Sequence, residues 1–138
     1  MPKFFLNSEN GPAKLTGLST GSWNTGIDLD LDATFVGSAP TIPAEATGVI
    51  LRFVNNTNGT EYAIGARHPD SSTNRITDLY ATNQGGQANA YVGINTVHEL
   101  DIYIENSNVE VYLIGYLTAE TDFFTDANQY TFNVTTTV

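Results

Sequence analysis

The sequence predicts an all-β protein, an antiparallel β-sandwich of about eight strands with a jelly-roll-like arrangement. Three observations support this. Short segments alternate apolar and polar residues with a period of two, as half-buried strands do. Turn-forming residues separate these segments at intervals of roughly 8–12 residues. No sustained helical period occurs between Thr47 and Leu117. Together these features favour stacked antiparallel sheets.

The length and composition are those of one domain. The chain has 138 residues, of which 41% are hydrophobic, and it has no cysteine. A domain of this size buries enough apolar surface to fold without disulfides. We expect an N-terminal arm over residues 1–22, where turn chemistry dominates, and the sandwich over residues 23–138.

The run 27–32 alternates strictly and predicts a strand with one acidic face. Its apolar residues are Ile27, Leu29 and Leu31, and its acidic residues are Asp28, Asp30 and Asp32. Carboxylates at this spacing are candidate metal ligands, and calcium would be the natural ion. The run lacks the glycine and glutamate of an EF-hand loop, so we expect an exposed strand face and no metal site.

Two hairpins are predicted in the centre of the chain. The strand over 47–55 is apolar on both faces except at Arg52, for which Glu61 or Glu110 is the expected partner. Asn58-Gly59 then favours a type I′ turn and a returning strand over 62–67. The segments 99–105 and 109–117, joined by the turn residues 106–108, form the second predicted hairpin.

In the second strand of that hairpin, over 109–117, the alternation assigns the residues to two faces. One face would carry Val109, Val111, Leu113 and Leu117, and the other Glu110, Tyr112, Ile114 and Tyr116. A final strand is expected over 130–138, where Tyr130, Phe132 and Val134 alternate with polar residues. Between these regions, the polar stretch 68–79 reads as an exposed loop that Arg67 and Arg75 would hold through its backbone.

Charge argues against two classes of partner. The net charge is −10, and lysine and arginine together number five. So few cations cannot form the basic stripe that nucleic acid requires, and anionic membranes are disfavoured for the same reason. No apolar run reaches the roughly 18 residues of a membrane span. We therefore expect neither nucleic acid nor membrane as a partner.

No pattern of catalytic residues is present. The sequence has no Gly-x-Ser-x-Gly elbow. His68 and His98 could join a zinc site only with carboxylates such as Asp70 or Glu99, and their spacing matches no known ligand pattern. A carboxylate pair for glycoside hydrolysis is a third alternative that spacing alone does not address. We expect no catalytic residue, no cofactor and no enzymatic activity.

Aromatic residues are the candidate ligand-binding groups. Exposed tryptophan and tyrosine rings stack on sugars, and they are equally common where a face packs on another sheet or subunit. The candidates are Trp23, Tyr80, Tyr91, Tyr103, Tyr112 and Tyr116. Both a glycan site and a subunit interface are compatible with them.

Several strand and turn segments resemble small virion proteins of tailed bacteriophages. These segments are Gly48-Val49-Ile50-Leu51, Tyr62-Ala63-Ile64-Gly65-Ala66-Arg67, Ser72-Thr73-Asn74-Arg75, Val92-Gly93-Ile94-Asn95, Glu99-Leu100-Asp101-Ile102-Tyr103-Ile104-Glu105 and Val111-Tyr112-Leu113-Ile114-Gly115-Tyr116. The resemblance spans roughly residues 23–117 and contains no catalytic motif. It implies a β-sandwich that forms trimers and decorates a capsid or builds fibres.

The resemblance leads to the functional prediction. We expect a non-enzymatic virion structural protein, a homotrimer that contacts other virion proteins on a capsid or tail fibre. Its interface would use the N-terminal arm, an exchanged C-terminal strand and one tyrosine-bearing sheet face. The interface candidates are Phe4, Phe5, Leu6, Tyr130, Phe132 and Val134. The alternative is a carbohydrate- or receptor-binding module at a tail or fibre tip, with glycan as its ligand.

Overall fold

The computed structural model describes residues 12–83 and 85–118, together with the backbone of residues 4–6. Nine strands lie in this part of the chain: β1 (Phe4–Leu6), β2 (Ala13–Lys14), β3 (Trp23–Asp28), β4 (Gly48–Asn55), β5 (Glu61–Arg67), β6 (Ile76–Tyr80), β7 (Gly86–Gly93), β8 (Glu99–Ile104) and β9 (Val109–Leu117). The helical content of these residues is one 3-10 turn, Asp32–Thr34.

The strands form two antiparallel sheets. In the first sheet the order is β1-β9-β4-β7, and β2 also pairs with β9. In the second sheet the order is β3-β8-β5-β6. If β1 and β2 are counted as one interrupted strand, the eight strands pair first with last, second with seventh, third with sixth and fourth with fifth. This is the pairing of a jelly roll, and it confirms the predicted fold class.

The hydrophobic core lies between the two sheets. The first sheet contributes inward residues such as Val49, Leu51 and Phe53, which follow the period of two along β4. From the second sheet come Leu100, Ile102 and Ile104 of β8. These residues are at most 3% exposed, and those of β8 are the ones that the alternation along 99–105 predicts to face inward.

Both predicted hairpins are wrong. Strand β4 pairs with β7 and β9, whereas β5 pairs with β6 and β8 in the other sheet. Likewise β8 lies in the second sheet and β9 in the first. The residues 56–60 and 105–108 are therefore corners at which the chain crosses between sheets. Turn-forming residues suit a corner as well as a hairpin, because both require a tight reversal.

The Asn58-Gly59 turn also differs from the expected type. Gly59 has a positive φ of 71°, while Asn58 does not, and the Thr60 N–H donates to the Thr57 carbonyl at 3.3 Å. A type I′ turn requires positive φ at both central residues. The observed turn is therefore not the one that would align two paired strands.

A β-bulge corrects the predicted faces of β9. Leu51 lies opposite Leu113, but the preceding Ile50 lies opposite Gly115, so Ile114 is an extra residue. Such an insertion reverses the alternation beyond it. Tyr116 consequently packs against the core. Periodicity placed Tyr116 on the outer face because the sequence carries no signal of the bulge.

The predicted strand over 27–32 is also corrected. Strand β3 ends at Asp28, and the following residues turn into the 3-10 helix. Leu29 is fully buried as expected, but Leu31 is exposed. The three aspartates therefore do not line one strand face.

The segment after β3 covers one side of the sandwich. Leu15 and Phe35 form an antiparallel bridge. The Thr16 N–H donates to the Thr34 carbonyl at 2.9 Å, and the Val36 N–H donates to the Lys14 carbonyl at 2.9 Å. Residues 34–36 thus satisfy the outer backbone groups next to β2. We call this side, formed by β2, β3 and residues 34–36, the covered edge.

The opposite side is formed by β6 and β7, and we call it the open edge. Strand β7 pairs with β4 along all eight of its residues without a register shift. No strand among the described residues pairs with the other side of β7 or with the outer side of β6.

Several terminal predictions concern residues that this structure only partly describes. The backbone of Phe4–Leu6 pairs with β9 of the same chain, but its side chains lie outside the described residues. Tyr130, Phe132 and Val134 also lie outside them. The domain boundary between residues 22 and 23 and the exchanged C-terminal strand stay predictions. Within the described part of the chain, no helix is long and apolar enough to span a membrane.

Candidate functional site

The six candidate aromatic residues do not form one platform. Trp23, Tyr80 and Tyr103 lie on the outer face of the second sheet, as their register shows. Tyr91 and Tyr112 lie on the outer face of the first sheet, on the other side of the molecule. Tyr116 packs against the core. A shared ligand could therefore contact only a subset of them.

Trp23 belongs to a polar cluster on the outer face of the second sheet. The guanidinium carbon of Arg67 lies 4.0 Å from the centre of the Trp23 ring, a cation–π contact. Arg67 Nε donates to Asp101 Oδ2 at 3.0 Å, and the Gly26 N–H donates to Asp101 Oδ1 at 3.0 Å. Asp101 is only 2% exposed, so these partners compensate a buried charge.

The same cluster holds the loop between β5 and β6. Arg67 Nη1 donates to the Thr73 carbonyl at 3.2 Å, which is the backbone contact predicted for Arg67. Trp23 Nε1 donates to Asn74 Oδ1 at 3.1 Å. A Cβ at Gly65 would lie 2.5 Å from the Arg75 carbonyl oxygen, so this approach requires glycine. These donors and acceptors of the cluster therefore bond to other residues of the chain and stabilise the fold.

Arg52 has a different partner from the one predicted. Its Nε donates to the amide oxygen of Asn89 at 3.3 Å, on the outer face of the first sheet. Glu110, one of the expected partners, pairs with Lys14. Separation along the sequence does not indicate which of these polar groups pairs with Arg52.

The aspartates of the 28–32 run have separate roles. Asp28 Oδ1 accepts from the Asp30 N–H at 2.9 Å, and Asp32 Oδ1 accepts from the Ala39 N–H at 2.9 Å. Asp30 contacts His98 Nδ1 through both oxygens, at 2.9 and 3.0 Å. In the described part of the chain, no three His, Asp or Glu side chains are close enough to hold a metal ion.

The two histidines pair with different carboxylates. His68 Nδ1 lies 3.9 Å from Asp70 Oδ2 and accepts the Asp70 N–H at 3.2 Å. His98 is buried against Asp30, and its φ of 59° is in the left-handed region. The described contacts do not bring the two rings into one site. The expectation of no catalytic residue stays a prediction.

A cleft of about 590 Å³ opens at the end of the sandwich where three corners meet. Its walls come from the β2–β3, β4–β5 and β8–β9 connections, and we call it the corner cleft. The lining residues are Lys14, Leu15, Thr16, Gly17, Leu18, Asn56, Thr57, Asn58, Ile104, Ser107, Asn108, Val109, Glu110 and Val111. Leucine, isoleucine and valine form its floor, and amide and hydroxyl side chains form its rim.

An ion pair lies in one wall of the corner cleft, and a tyrosine outside the lining bonds to it. Lys14 Nζ lies 3.5 Å from Glu110 Oε1, and the Tyr112 hydroxyl donates to Glu110 Oε2. The Tyr112 hydrogen bond, followed by the attraction of Lys14, lowers the pKa of Glu110 below its ordinary value of 4.5. The same hydrogen bond raises the pKa of Tyr112 above its ordinary value of 10.0. Among the candidate aromatic residues, Tyr112 is thus bonded to this wall.

A buried asparagine fixes the β4–β5 corner of the corner cleft. Asn55 is fully buried at the end of β4. Its amide nitrogen donates to the carbonyls of Thr60 at 3.1 Å and Leu79 at 2.8 Å, and its amide oxygen accepts from the Thr57 N–H at 3.0 Å. These bonds connect the two sheets and hold the residues that form part of the rim.

Sequence reasoning missed the corner cleft because it treated each asparagine-rich turn separately. The turns at 56–58 and 106–108 were read as two unrelated hairpins. The two turns lie close together because the chain crosses from one sheet to the other at both of them. The sequence did show asparagine repeatedly at chain reversals. It did not show which strands pair, and the strand pairing is what places these reversals at the same end of the sandwich.

Comparison with protein-family models, with curated proteins and with solved structures finds no match.

Proposed function

We propose that this chain is a non-enzymatic structural subunit of a bacteriophage virion, a homo-oligomer that decorates the capsid or forms part of a fibre. The observation that carries the proposal is the open edge. A jelly roll by itself hosts many functions, including viral capsid and lectin domains. The open edge gives a specific reason to expect another copy of the chain.

Within the described part of the chain, strand β7 has none of the features by which monomeric proteins protect an edge. Natural edge strands are short, bulged, covered, or interrupted by charges and proline. Strand β7 is eight residues long, regular in register, and without a charged residue or proline over Gly86–Gly93. In a chain with a net charge of −10, an uncharged edge of this length favours association between copies.

Exposed apolar side chains add to this edge. Tyr91 of β7 is 62% exposed, and Ile76 and Tyr80 of the neighbouring β6 are also exposed. Tyrosine is enriched at protein interfaces because its ring is apolar and its hydroxyl can hydrogen-bond. We infer that another copy pairs with the outer side of β7 and contacts Tyr91, whereas Ile76 and Tyr80 lie on the outer face of the other sheet. A closed ring, with a trimer as the expected size, would leave no copy of the edge free.

Light scattering coupled to size-exclusion chromatography tests the association. The wild-type protein should elute with three times the 14.9 kDa mass of one chain. Tyr91→Glu places a charge on β7 and should shift the protein to a single-chain mass. Val97→Glu is the matched control, because Val97 is 57% exposed but lies in the β7–β8 connection. It should keep the wild-type mass.

A single-chain mass for the wild type at 100 micromolar would contradict the association. An equal effect of both variants would place the interface elsewhere. The virion placement is tested separately by mass spectrometry of purified particles produced from the genome that encodes the chain. We expect the chain in those particles in many copies, and its absence would exclude a structural role.

A further inference from the structure

The rim of the corner cleft has hydrogen-bonding groups that the described part of the fold does not use. Asn58, Ser107 and Asn108 are exposed rim residues. Their side chains have no partner among the described contacts, whereas Asn55 below them is fully bonded. An amide side chain both donates and accepts, and a serine hydroxyl does the same. The rim can therefore recognise a ligand that has many donors and acceptors.

The floor of the corner cleft is apolar. Leu15, Val109 and Val111 are buried core residues that also line the cleft. Small-molecule sites typically combine an apolar base with a few convergent polar groups, in volumes of about 300–1,000 Å³. The volume of about 590 Å³ lies within this range.

The corner cleft has no net charge to offer a ligand. Among the described residues, its two charged lining residues, Lys14 and Glu110, pair with each other. The acidic protein as a whole repels anions, because its net charge is −10. Phosphorylated and sialylated ligands are therefore disfavoured, and a purely apolar ligand would leave the rim amides without partners.

We propose that the corner cleft binds a neutral oligosaccharide. A neutral sugar presents hydroxyl groups around its edge, which match the rim amides, and C–H surfaces on its faces, which match the apolar floor. This site is distinct from the aromatic residues that the sequence indicated, although Tyr112 bonds to the lining residue Glu110. It is also distinct from the open edge, because no residue of β6 or β7 lines it.

A printed array of neutral and sialylated glycans tests this proposal. Neutral glycans terminating in glucose, mannose, galactose or N-acetylglucosamine should give the signals, and sialylated forms of the same glycans should give at least tenfold less. The strongest neutral glycan is then titrated by calorimetry into the wild type and three variants. Asn58→Ala and Asn108→Ala should each weaken binding about tenfold, as expected for losing one hydrogen bond of about 1.4 kcal/mol.

Asn83→Ala is the matched control. Asn83 is an exposed asparagine in the β6–β7 connection and does not line the corner cleft. This variant should bind as the wild type does. Absence of any neutral hit, equal binding of sialylated glycans, or equal effects of all three variants would overturn the proposal.

The titration also separates this inference from the proposed oligomer. Tyr91→Glu should keep the affinity of each site for the glycan, because Tyr91 lies outside the corner cleft. Glycan binding by a protein that is always a single chain would support the cleft while removing the proposed assembly. An oligomer that binds no neutral glycan would support the proposed assembly and overturn the proposed glycan site.

Discussion

The two edges of this sandwich are protected to very different degrees. At the covered edge, residues 34–36 add backbone hydrogen bonds next to β2, and β3 is interrupted by a register shift between Asn24 and Ile27. At the open edge, β7 runs regularly for eight residues without charge or proline. The same chain thus closes one side of the molecule with its own residues. In the proposed assembly, a second copy covers the other side.

The largest expected effect comes from uncovering the covered edge. Phe35 is 4% exposed and anchors residues 34–36 against Leu15. Phe35→Ala should lower the free energy of unfolding by about 3–5 kcal/mol, because it leaves a cavity in the core. Urea denaturation of the Tyr91→Glu background would measure this for a single chain.

The neighbouring Val36 provides the control for Phe35. Val36 is exposed, so Val36→Ala should change the unfolding free energy by less than about 0.5 kcal/mol. Comparable losses for Phe35→Ala and Val36→Ala would mean that the contact of Phe35 with the core does not hold this segment.

A smaller effect is expected at the register shift of β3. Asp101 accepts the Gly26 N–H in this irregular region and pairs with Arg67. Asp101→Ala should lower the unfolding free energy by about 2–3 kcal/mol, because it leaves a partly buried backbone N–H and a largely buried guanidinium without their acceptor. Thermal and urea denaturation would measure the change.

Asp78→Ala is the comparison for Asp101→Ala at the open edge. Asp78 is an exposed acid on β6, and its removal should cost less than about 0.5 kcal/mol. If both variants lose the same stability, the carboxylate of Asp101 does not have the specific role assigned to it.

The smallest effect concerns the ion pair next to β2. The folded-state pKa of Glu110 lies below its ordinary value of 4.5, so its contribution is fully present above pH 4.5 and is lost as the pH falls through the folded-state pKa. The pKa of Tyr112 is raised, so its contribution is present below pH 10 and is lost as the pH rises through the folded-state pKa. Glu110→Gln should cost about 0.2–1 kcal/mol at pH 7.

Urea denaturation of wild type and Glu110→Gln from pH 7 down to pH 3 checks the sign. The difference between the two proteins should shrink below pH 4.5. Glu45→Gln, at an exposed glutamate outside the pair, should show no such difference. A gap that widens on acidification would contradict the assigned direction of the shift.

The sequence predicted the layers of this fold well and the connections between them poorly. The apolar run Gly48–Val54 identified a strand, and alternation along Glu99–Glu105 identified a strand and its inward residues, because both patterns depend only on the local chain. Pairing depends on residues far apart, so Asn58-Gly59 and Asn106-Ser107-Asn108 were misread as hairpins. The bulge at Ile114 moved Tyr116 into the core without any local signal.

The same limit explains the outcome for the candidate site. The backbone contact of Arg67 with the 68–75 loop was predicted because the two are neighbours in sequence. The corner cleft was not, because it requires three connections that are up to about ninety residues apart to meet at one end. The sequence shows the residue types in each of the three connections. That the connections lie close together follows only from the jelly-roll pairing of the strands.

The state of the β7 backbone in solution tests the central claim most directly. In an edge strand that pairs on one side, alternate amides face solvent and exchange quickly. Residue-resolved hydrogen exchange over Gly86–Gly93 should show slow exchange at every position in the wild-type protein, and fast exchange at alternate positions in Tyr91→Glu. Alternating fast exchange in the wild type at high concentration would mean that no other copy covers this strand.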